Sequence, residues 1–326
     1  MPANLTPEYE RSERRYREAA TDDERLEALR HMLSTIPKHK GTDKMQADLK
    51  RRISQLRKAE AKKGPKRGAD PFHVPKTGAG QVVLVGPPNV GKSMLVAATT
   101  NAAVKVTDYP FATAIPAPGM WPQEDAQMQL VDTPPVAPGH VFGGLISTVR
   151  LADVVAVVVD AADEPLEQAE MVLSLLAEKN LALRSVPRSE LDPADPSVRG
   201  GVIVANKTDA APPENVATLR ELYDGRIEVW PVSAATGEGL AALGRRLWEL
   251  LAVIRVYPKE PGRPPDMTKP FTLPVGATVD DLAREIHREL PEKMKYARIW
   301  GAGRFSGQQV HHTESLRDKD VVEIRQ

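Results

Sequence analysis

Residues 81–254 predict an α/β fold, a mostly parallel sheet covered by helices on both faces, and three observations carry that expectation. Short β-branched runs recur at 82–85, 128–131, 154–160, 202–205 and 227–232. Helical stretches alternate with them at 92–103, 166–179, 213–223 and 237–254. The longest of them, Val154-Val-Ala-Val-Val-Val159, is continuously apolar, which is what a strand needs when both its faces are buried.

A chain of 326 residues is too long for one small core and predicts two or three domains. Residues 1–63 carry no strand signal. Leu26, Leu29, Leu33 and Ile36, then Met45, Leu49, Ile53 and Leu56, fall at helical spacing and predict a helical hairpin. Ile36-Pro-Lys-His-Lys-Gly41 stops its first helix, and Thr42 or Asp43 caps the second. The stretch 64–71 reads as a linker, and 187–201, with three prolines and mixed charges, as an exposed loop. A proline-stiffened connector, Tyr257-Pro-Lys-Glu-Pro-Gly-Arg-Pro-Pro265, sets the last boundary. Beyond it, 271–275, a helix near 279–289, 297–300 and 321–324 describe a small α+β domain. The division is therefore 1–70, 76–256 and 260–326.

Zero formal net charge provides no global attraction to nucleic acid or membrane, and the absence of cysteine excludes disulfides and thiolate metal sites. No apolar run approaches the roughly 20 residues of a membrane helix. A cytoplasmic monomer with no membrane partner is the expectation.

The strand at 82–85 runs directly into Gly86-Pro-Pro-Asn-Val-Gly-Lys-Ser93 and then a helix, the context of a phosphate-binding P-loop. Gly86 and Gly91 let the backbone turn, so that the N–H groups around Pro87, Asn89, Val90 and Met94 face phosphates at the helix N-terminus. Lys92 supplies charge at the β- and γ-phosphates, and the Ser93 hydroxyl is a Mg²⁺ ligand. Asn206-Lys-Thr-Asp209 follows another apolar strand and selects the base. Asp209 accepts from guanine N1–H and N2–H₂, Lys207 lies along the base, and Asn206 ties this loop to the P-loop. Ser233-Ala234-Ala235 then offers a backbone N–H to guanine O6. The cofactors implied are GTP or GDP with Mg²⁺.

Asp132, ending a strand, is read as holding Mg²⁺ through water. Thr113, in Tyr109-Pro-Phe-Ala-Thr113, is the candidate switch hydroxyl that completes the metal shell, with Thr99, Thr100 and Thr107 as nearby competitors. In Asp132-Thr-Pro-Pro135 the expected Asp-x-x-Gly pattern fails. Its glycine donates an N–H to the γ-phosphate, and Pro135 has none. Val136 stands where many such enzymes carry a water-orienting glutamine, so slow hydrolysis is expected, with His140 as a candidate substitute. Asn89 is placed to coordinate K⁺ beside the phosphates, which makes Lys92, Thr113, Asp132 and Asn89 the catalytic candidates.

On these residues, and on Tyr109-Pro-Phe-Ala-Thr-Ala-Ile-Pro-Ala-Pro-Gly-Met120, the chain resembles the Obg-type GTPases. More closely it resembles the developmentally regulated GTP-binding proteins. Ile36-Pro-Lys-His-Lys-Gly-Thr-Asp-Lys44 is similar to their amino-terminal helices. Lys295-Tyr-Ala-Arg-Ile-Trp-Gly301 and Leu316-Arg-Asp-Lys-Asp-Val-Val-Glu-Ile324 are similar to their carboxyl-terminal TGS domain. The resemblance implies a P-loop GTPase with a β-grasp-like TGS domain. Two departures stand out. Only 74 residues separate Asp132 from Asn206, which leaves no room for the small domain that the family inserts, and Pro135 replaces the family's glycine.

Between Lys38 and Arg67, twelve Lys/Arg face three acids. Lys50, Arg51, Arg57 and Lys58 cannot all share the apolar face of Leu49, Ile53 and Leu56, so they are expected to project to solvent, placed to track a phosphate backbone. Together with the resemblance this points to a ribosome or structured RNA, with a protein partner as an option at the TGS-like domain. Two readings follow, a slow GTPase whose nucleotide state gates that association, and a hydrolysis-deficient, GTP-regulated binding module.

Overall fold

The β-branched runs lie in one seven-stranded sheet, and their burial explains their composition. The computed structural model describes residues 72–100, 115–137 and 144–325, together with helical positions 29, 31–33, 35, 45, 49 and 51. The chain divides into two units, Met1–Ala69 and Asp70–Gln326. In the first unit, Leu29, Met32 and Leu49 are buried helical positions, Leu33 and Met45 are half-buried helical positions and Arg51 is an exposed one, while the other residues of the expected hairpin and basic helix lie outside the described residues.

In the second unit, β1 (Gln81–Val85), β3 (Ala126–Asp132), β4 (Val154–Asp160), β6 (Val198–Asn206), β5 (Ala182–Arg184) and β7 (Val229–Pro231) run parallel. The antiparallel edge strand β2 (Ala117–Gln123) pairs with β3, giving the order β2-β3-β1-β4-β6-β5, with β7 also on β6. Alternate residues feed two cores. Val83, Val85, Val155 and Val157 face α2 (Leu145–Leu151), α3 (Pro165–Glu178) and α4 (Pro213–Tyr223). Val82, Leu84, Val154 and Ala156 face α1 (Lys92–Thr99) and α5 (Leu240–Leu251). A strand buried on both faces has no polar side to show, hence apolar runs such as 82–85 and 154–159.

Several boundaries differ from the sequence expectation, each for a local reason. Helix α1 stops at Thr99, short of 103. The Thr99 and Thr100 hydroxyls donate to Leu95 O and Val96 O at 2.7 Å, and Thr100 turns extended. Strand β2 contains Pro118 and Pro122, which an edge strand tolerates because one side of its backbone needs no partner. The loop expected at 187–201 ends early, since β6 begins at Val198.

The run at 237–254 is not one helix. Ala252 adopts φ 51 after α5, and β8 (Val253–Pro258) leaves in a new direction. Strand β8 belongs to a second sheet with β9 (Phe271–Pro274), β10 (Tyr296–Trp300), β11 (Gln308–Val310) and β12 (Asp320–Arg325), in the order β11-β10-β12-β8-β9. That sheet therefore starts before the proline-rich connector. Helix α6 (Val279–Ile286), held by a Thr278/Asp281 capping box, packs Val279 and Leu282 onto it, and the short α7 (Leu290–Lys293) follows.

Arg255 of β8 joins the two sheets. Its side chain is only 8% exposed and meets Asp318 at 2.8 Å, Asp125 at 2.9 Å and Glu124. Tyr257 donates to Asp125 as well. Glu124 and Asp125 form the tip of the β2–β3 hairpin, so the second sheet holds the strand that ends at Asp132. Burial pulls the Asp125 and Asp318 carboxyls up. Hydrogen bonds from Tyr257 and Arg255 to Asp125, and from Arg255 to Asp318, outweigh it and hold both below the usual carboxylate range. Arg255→Met is expected to cost about 2 kcal/mol, less than for a fully buried pair because Glu124 and Asp318 face water, and to lower Tm by about 4–8 °C. These are carboxylates with depressed folded-state pKa values. Their contribution is full above roughly pH 4 and is lost as acid carries the pH through the folded values. Thermal unfolding of both proteins across pH checks this. A deficit that does not change in acid would assign the effect to Arg255 packing on Trp248, 5.8 Å from its ring centroid.

Candidate functional site

Strands β3, β1, β4 and β6 are neighbours, and their carboxyl ends, with that of β7, bring five separate segments of the chain to one edge. Leu84 is in register with Asp132, and Asp160 with Asn206. Parallel alignment does the positioning here, because it puts every strand's exit on the same side.

The first segment turns tightly. A Cβ at Gly86 would stand 2.2 Å from Val158 O, and one at Gly91 2.3 Å from Asn206 Nδ2, so both positions require glycine. Gly91 has φ +90 and opens α1, and Asn89, exposed, has φ 62. Pro87 and Val90 are buried, and Met94 faces outward on α1. Lys92 folds back over the loop, and its Nζ donates to Gly86 O at 2.9 Å and Pro87 O at 2.8 Å. Burial pushes its ammonium down to about 8, against the opposing charge of Asp132. It is thus still mainly protonated at neutral pH, and it sits over carbonyls that an anion's negative oxygens can replace.

Ser93 and Asp132 meet, the hydroxyl donating to Asp132 Oδ2 at 2.5 Å. Two hard oxygen donors at the mouth of a phosphate loop fit Mg²⁺. Thr133 is turned away and donates to Leu84 O at 2.6 Å. Thr113 and His140 lie outside the described residues.

Asn206, 1% exposed, bridges two loops. Its Nδ2 donates to Val90 O at 2.8 Å, and its Oδ1 accepts from Ala234 N at 3.0 Å. One side chain therefore fixes the P-loop against the Ser233-Ala234-Ala235 turn. Ser233 Oγ donates to Asp209 Oδ1 at 2.5 Å and aims an exposed carboxylate. Lys207, at φ 65, pairs with Asp160 Oδ2 at 2.5 Å.

Asp160 is a site residue that the sequence reading passed over. Its signal was there, a lone acid ending an otherwise apolar strand. Its backbone N–H donates to Gln168 Oε1 at 2.9 Å, which anchors the strand exit to α3.

The structure alters the account of Val136. Its side chain is fully buried in the core with Val83, Val85 and Val131, so it does not face the site as a substitute for a water-orienting group. Its N–H is also engaged, donating to Gly86 O at 3.1 Å. Pro135, buried beside it, has no N–H. Neither position as it stands offers a backbone donor to a γ-phosphate.

A family described as 50S ribosome-binding GTPase matches residues 81–186, and the TGS domain family matches 254–326. Over 365 aligned residues the chain is 28% identical to an uncharacterized GTP-binding protein of Halobacterium salinarum, covering 93% of this chain and 98% of that protein. Developmentally-regulated GTP-binding protein 2 of Homo sapiens is 26% identical, with 92% and 98% covered. The G domain of the T. maritima FeoB iron transporter is 23% identical, with 52% of this chain and 97% of that chain covered and a TM-score of 0.38. The halobacterial alignment has 365 positions, whereas 93% of 326 residues is about 303, so about 60 of its positions have no counterpart here. Between Asp132 and Asn206 the described residues form only α2, β4, α3, β5, a 3-10 turn and β6, with no inserted domain among them.

Proposed function

The chain belongs to the developmentally regulated GTP-binding protein family, with a TGS domain, and from that premise we propose that it is a slow, Mg²⁺-dependent GTPase whose nucleotide state gates association with a ribosome or structured RNA. The observation that carries this reading is the Asn206 bridge, which joins the phosphate loop to the base-reading loops as a single site. In this reading the nucleotide is handled by the segment that starts at 76 and ends with α5, before β8, the unit from β8 to the last strand docks a partner, and 1–70 meets RNA through its basic helix.

Residues 86–94 cradle the phosphates, with Lys92 moving from the Gly86 and Pro87 carbonyls to the β- and γ-phosphate oxygens. Asp209, Lys207 and the N–H groups of Ala234 and Ala235 hold guanine, and Ser233 orients Asp209. Ser93, Asp132 and Thr113 would hold Mg²⁺, which when bound neutralises charge developing on the phosphates. Water then attacks the γ-phosphorus as the bond to the β–γ bridging oxygen breaks; that oxygen keeps the electron pair and leaves as GDP, and the water's proton passes to a γ-phosphate oxygen, giving inorganic phosphate.

Hydrolysis is expected to run at least several-fold faster in K⁺ than in Na⁺, because Asn89 lies in the loop where a monovalent cation would supply charge beside the phosphates. Single-turnover rates at matched ionic strength measure it, and equal rates remove Asn89 from the mechanism. The ribosome reading takes support from the description of the matched family. Its test is co-sedimentation with ribosomes, expected with a non-hydrolysable GTP analogue, weaker with GDP and falling with salt. Sedimentation that ignores the nucleotide would overturn gating.

A second reading has its own observation. With Pro135 lacking an N–H and that of Val136 tied to Gly86, the chain would bind GTP, hardly cleave it, and act as a regulated binding module. Absence of turnover with K⁺ and ribosomes together would select it.

A further inference from the structure

The edge of the nucleotide-binding sheet is broken in one place. Strands β5 and β7 lie on the same side of β6, β5 against Val198–Gly200 and β7 against Ile203–Ala205. Ser185 spans the gap, donating to Gly201 O at 2.7 Å and accepting from Glu228 N at 2.8 Å. Beside the gap is a groove of about 920 Å³, walled by β5, β7 and the end of α4. No described strand pairs with the outer side of β5 or β7.

Charge on the groove is one-sided. Arg184, Arg220 and Arg226 line it, and all three are exposed. None has an ion-pair partner among the described residues. Of the two acids in the lining, Glu228 is already bound by Arg246 at 2.6 Å, which leaves only Asp224 against three guanidinium groups. The floor, with Leu183, Ile227 and Val229, is aliphatic.

Of the two aromatics in the groove, Tyr223 is covered and Trp230 is half-buried and tethered by its edge. Tyr223 is 5% exposed with Arg226 over its ring, 5.8 Å from the centroid, and the Trp230 indole N–H donates to Glu228 at 3.0 Å. An RNA strand, which would need open aromatic faces for its bases, fits this groove poorly. An extended peptide fits it well. It can add its backbone to the open β5/β7 edge and pair acidic side chains with the exposed arginines.

We propose that this broken edge is a docking site for an acidic, extended segment of a partner protein, separate from the nucleotide site. The probe is a fluorescein-labelled peptide of alternating Glu and Val, titrated into the full chain by anisotropy. Binding is expected to weaken about tenfold or more in the triple variant Arg184→Glu, Arg220→Glu, Arg226→Glu, and for a peptide with Gln in place of Glu. It should persist when Lys50, Arg51, Arg57 and Lys58 are reversed instead, which separates the groove from the basic amino-terminal segment. Hydrogen exchange should slow at the amides of β5 and β7. If the charge-reversed chain fails to bind GTP, the triple Arg→Gln variant replaces it. Affinity unchanged in the triple variant, protection elsewhere, or single-stranded RNA protecting the same amides more strongly than the peptide overturns the proposal.

Discussion

Asp209→Asn is expected to lower GTP affinity by a factor of about 10²–10⁴ and to make XTP the better ligand. In the proposed site Asp209 faces two guanine donors, N1–H and N2–H₂. Each charge-assisted hydrogen bond contributes about 1.5–3 kcal/mol, and losing both corresponds to that range. Asparagine offers one neutral oxygen and turns an N–H₂ toward a donor. Xanthine has a carbonyl in place of the amino group, so it meets that N–H₂ as an acceptor. The substitution is mild for the fold, because Asp209 is exposed and its described side-chain partner is Ser233. Isothermal titration with GTP and XTP checks both halves. An unchanged GTP affinity would place the base elsewhere and dissolve the assignment of 206–209.

The contrast with Asn206 is informative. Asn206→Ala removes no direct contact to the base in this reading, yet it takes from Val90 O and Ala234 N the buried partner that Asn206, 1% exposed, gives them. It acts on how well the two loops are held together.

What could be read from the chain follows its physics. Strands buried on both faces are mainly apolar, so the stretches Val82–Val85, Met128–Val131, Val154–Val159 and Val202–Ala205 of β1, β3, β4 and β6 were legible despite Gln129, and with them the exits that carry Gly86, Asp132 and Asn206. The phosphate loop was legible because its glycines are required by close approaches to Val158 and Asn206. Strand β2 was hidden by Pro118 and Pro122, since an edge position that excuses proline is a property of the sheet and not of the segment. Strand β5, Ala182–Arg184, is too short for any periodicity. The run Leu250-Leu-Ala-Val-Ile254 is apolar whether helical or extended, and only the left-handed Ala252 divides α5 from β8. Pairings such as Arg255 with Asp125 and Lys207 with Asp160 join residues far apart in sequence. Single side chains of this kind leave no local pattern.

Pro135→Gly is expected to raise the preference for GTP over GDP by about ten- to a hundredfold, and hydrolysis with it. The basis is a single restored N–H. A charge-assisted hydrogen bond to a phosphate oxygen contributes about 1.5–3 kcal/mol, and GDP lacks the oxygen that would accept it. The next N–H, of Val136, does not supply that donor, because it is already given to Gly86 O at 3.1 Å and the Val136 side chain anchors the segment in the core. The same anchoring makes position 135 the place where one change can act without moving its neighbours. Glycine also loosens the unfolded chain, so a stability loss of about 0.4–1 kcal/mol accompanies the gain. Pro135→Ala separates the two effects, since alanine restores the N–H with far less backbone freedom. If both variants gain GTP preference and hydrolysis, the missing N–H limits this enzyme. A gain in glycine alone would mean that loop freedom was the limit, and no gain in either would leave the γ-phosphate to be sensed through the segment around Thr113 instead.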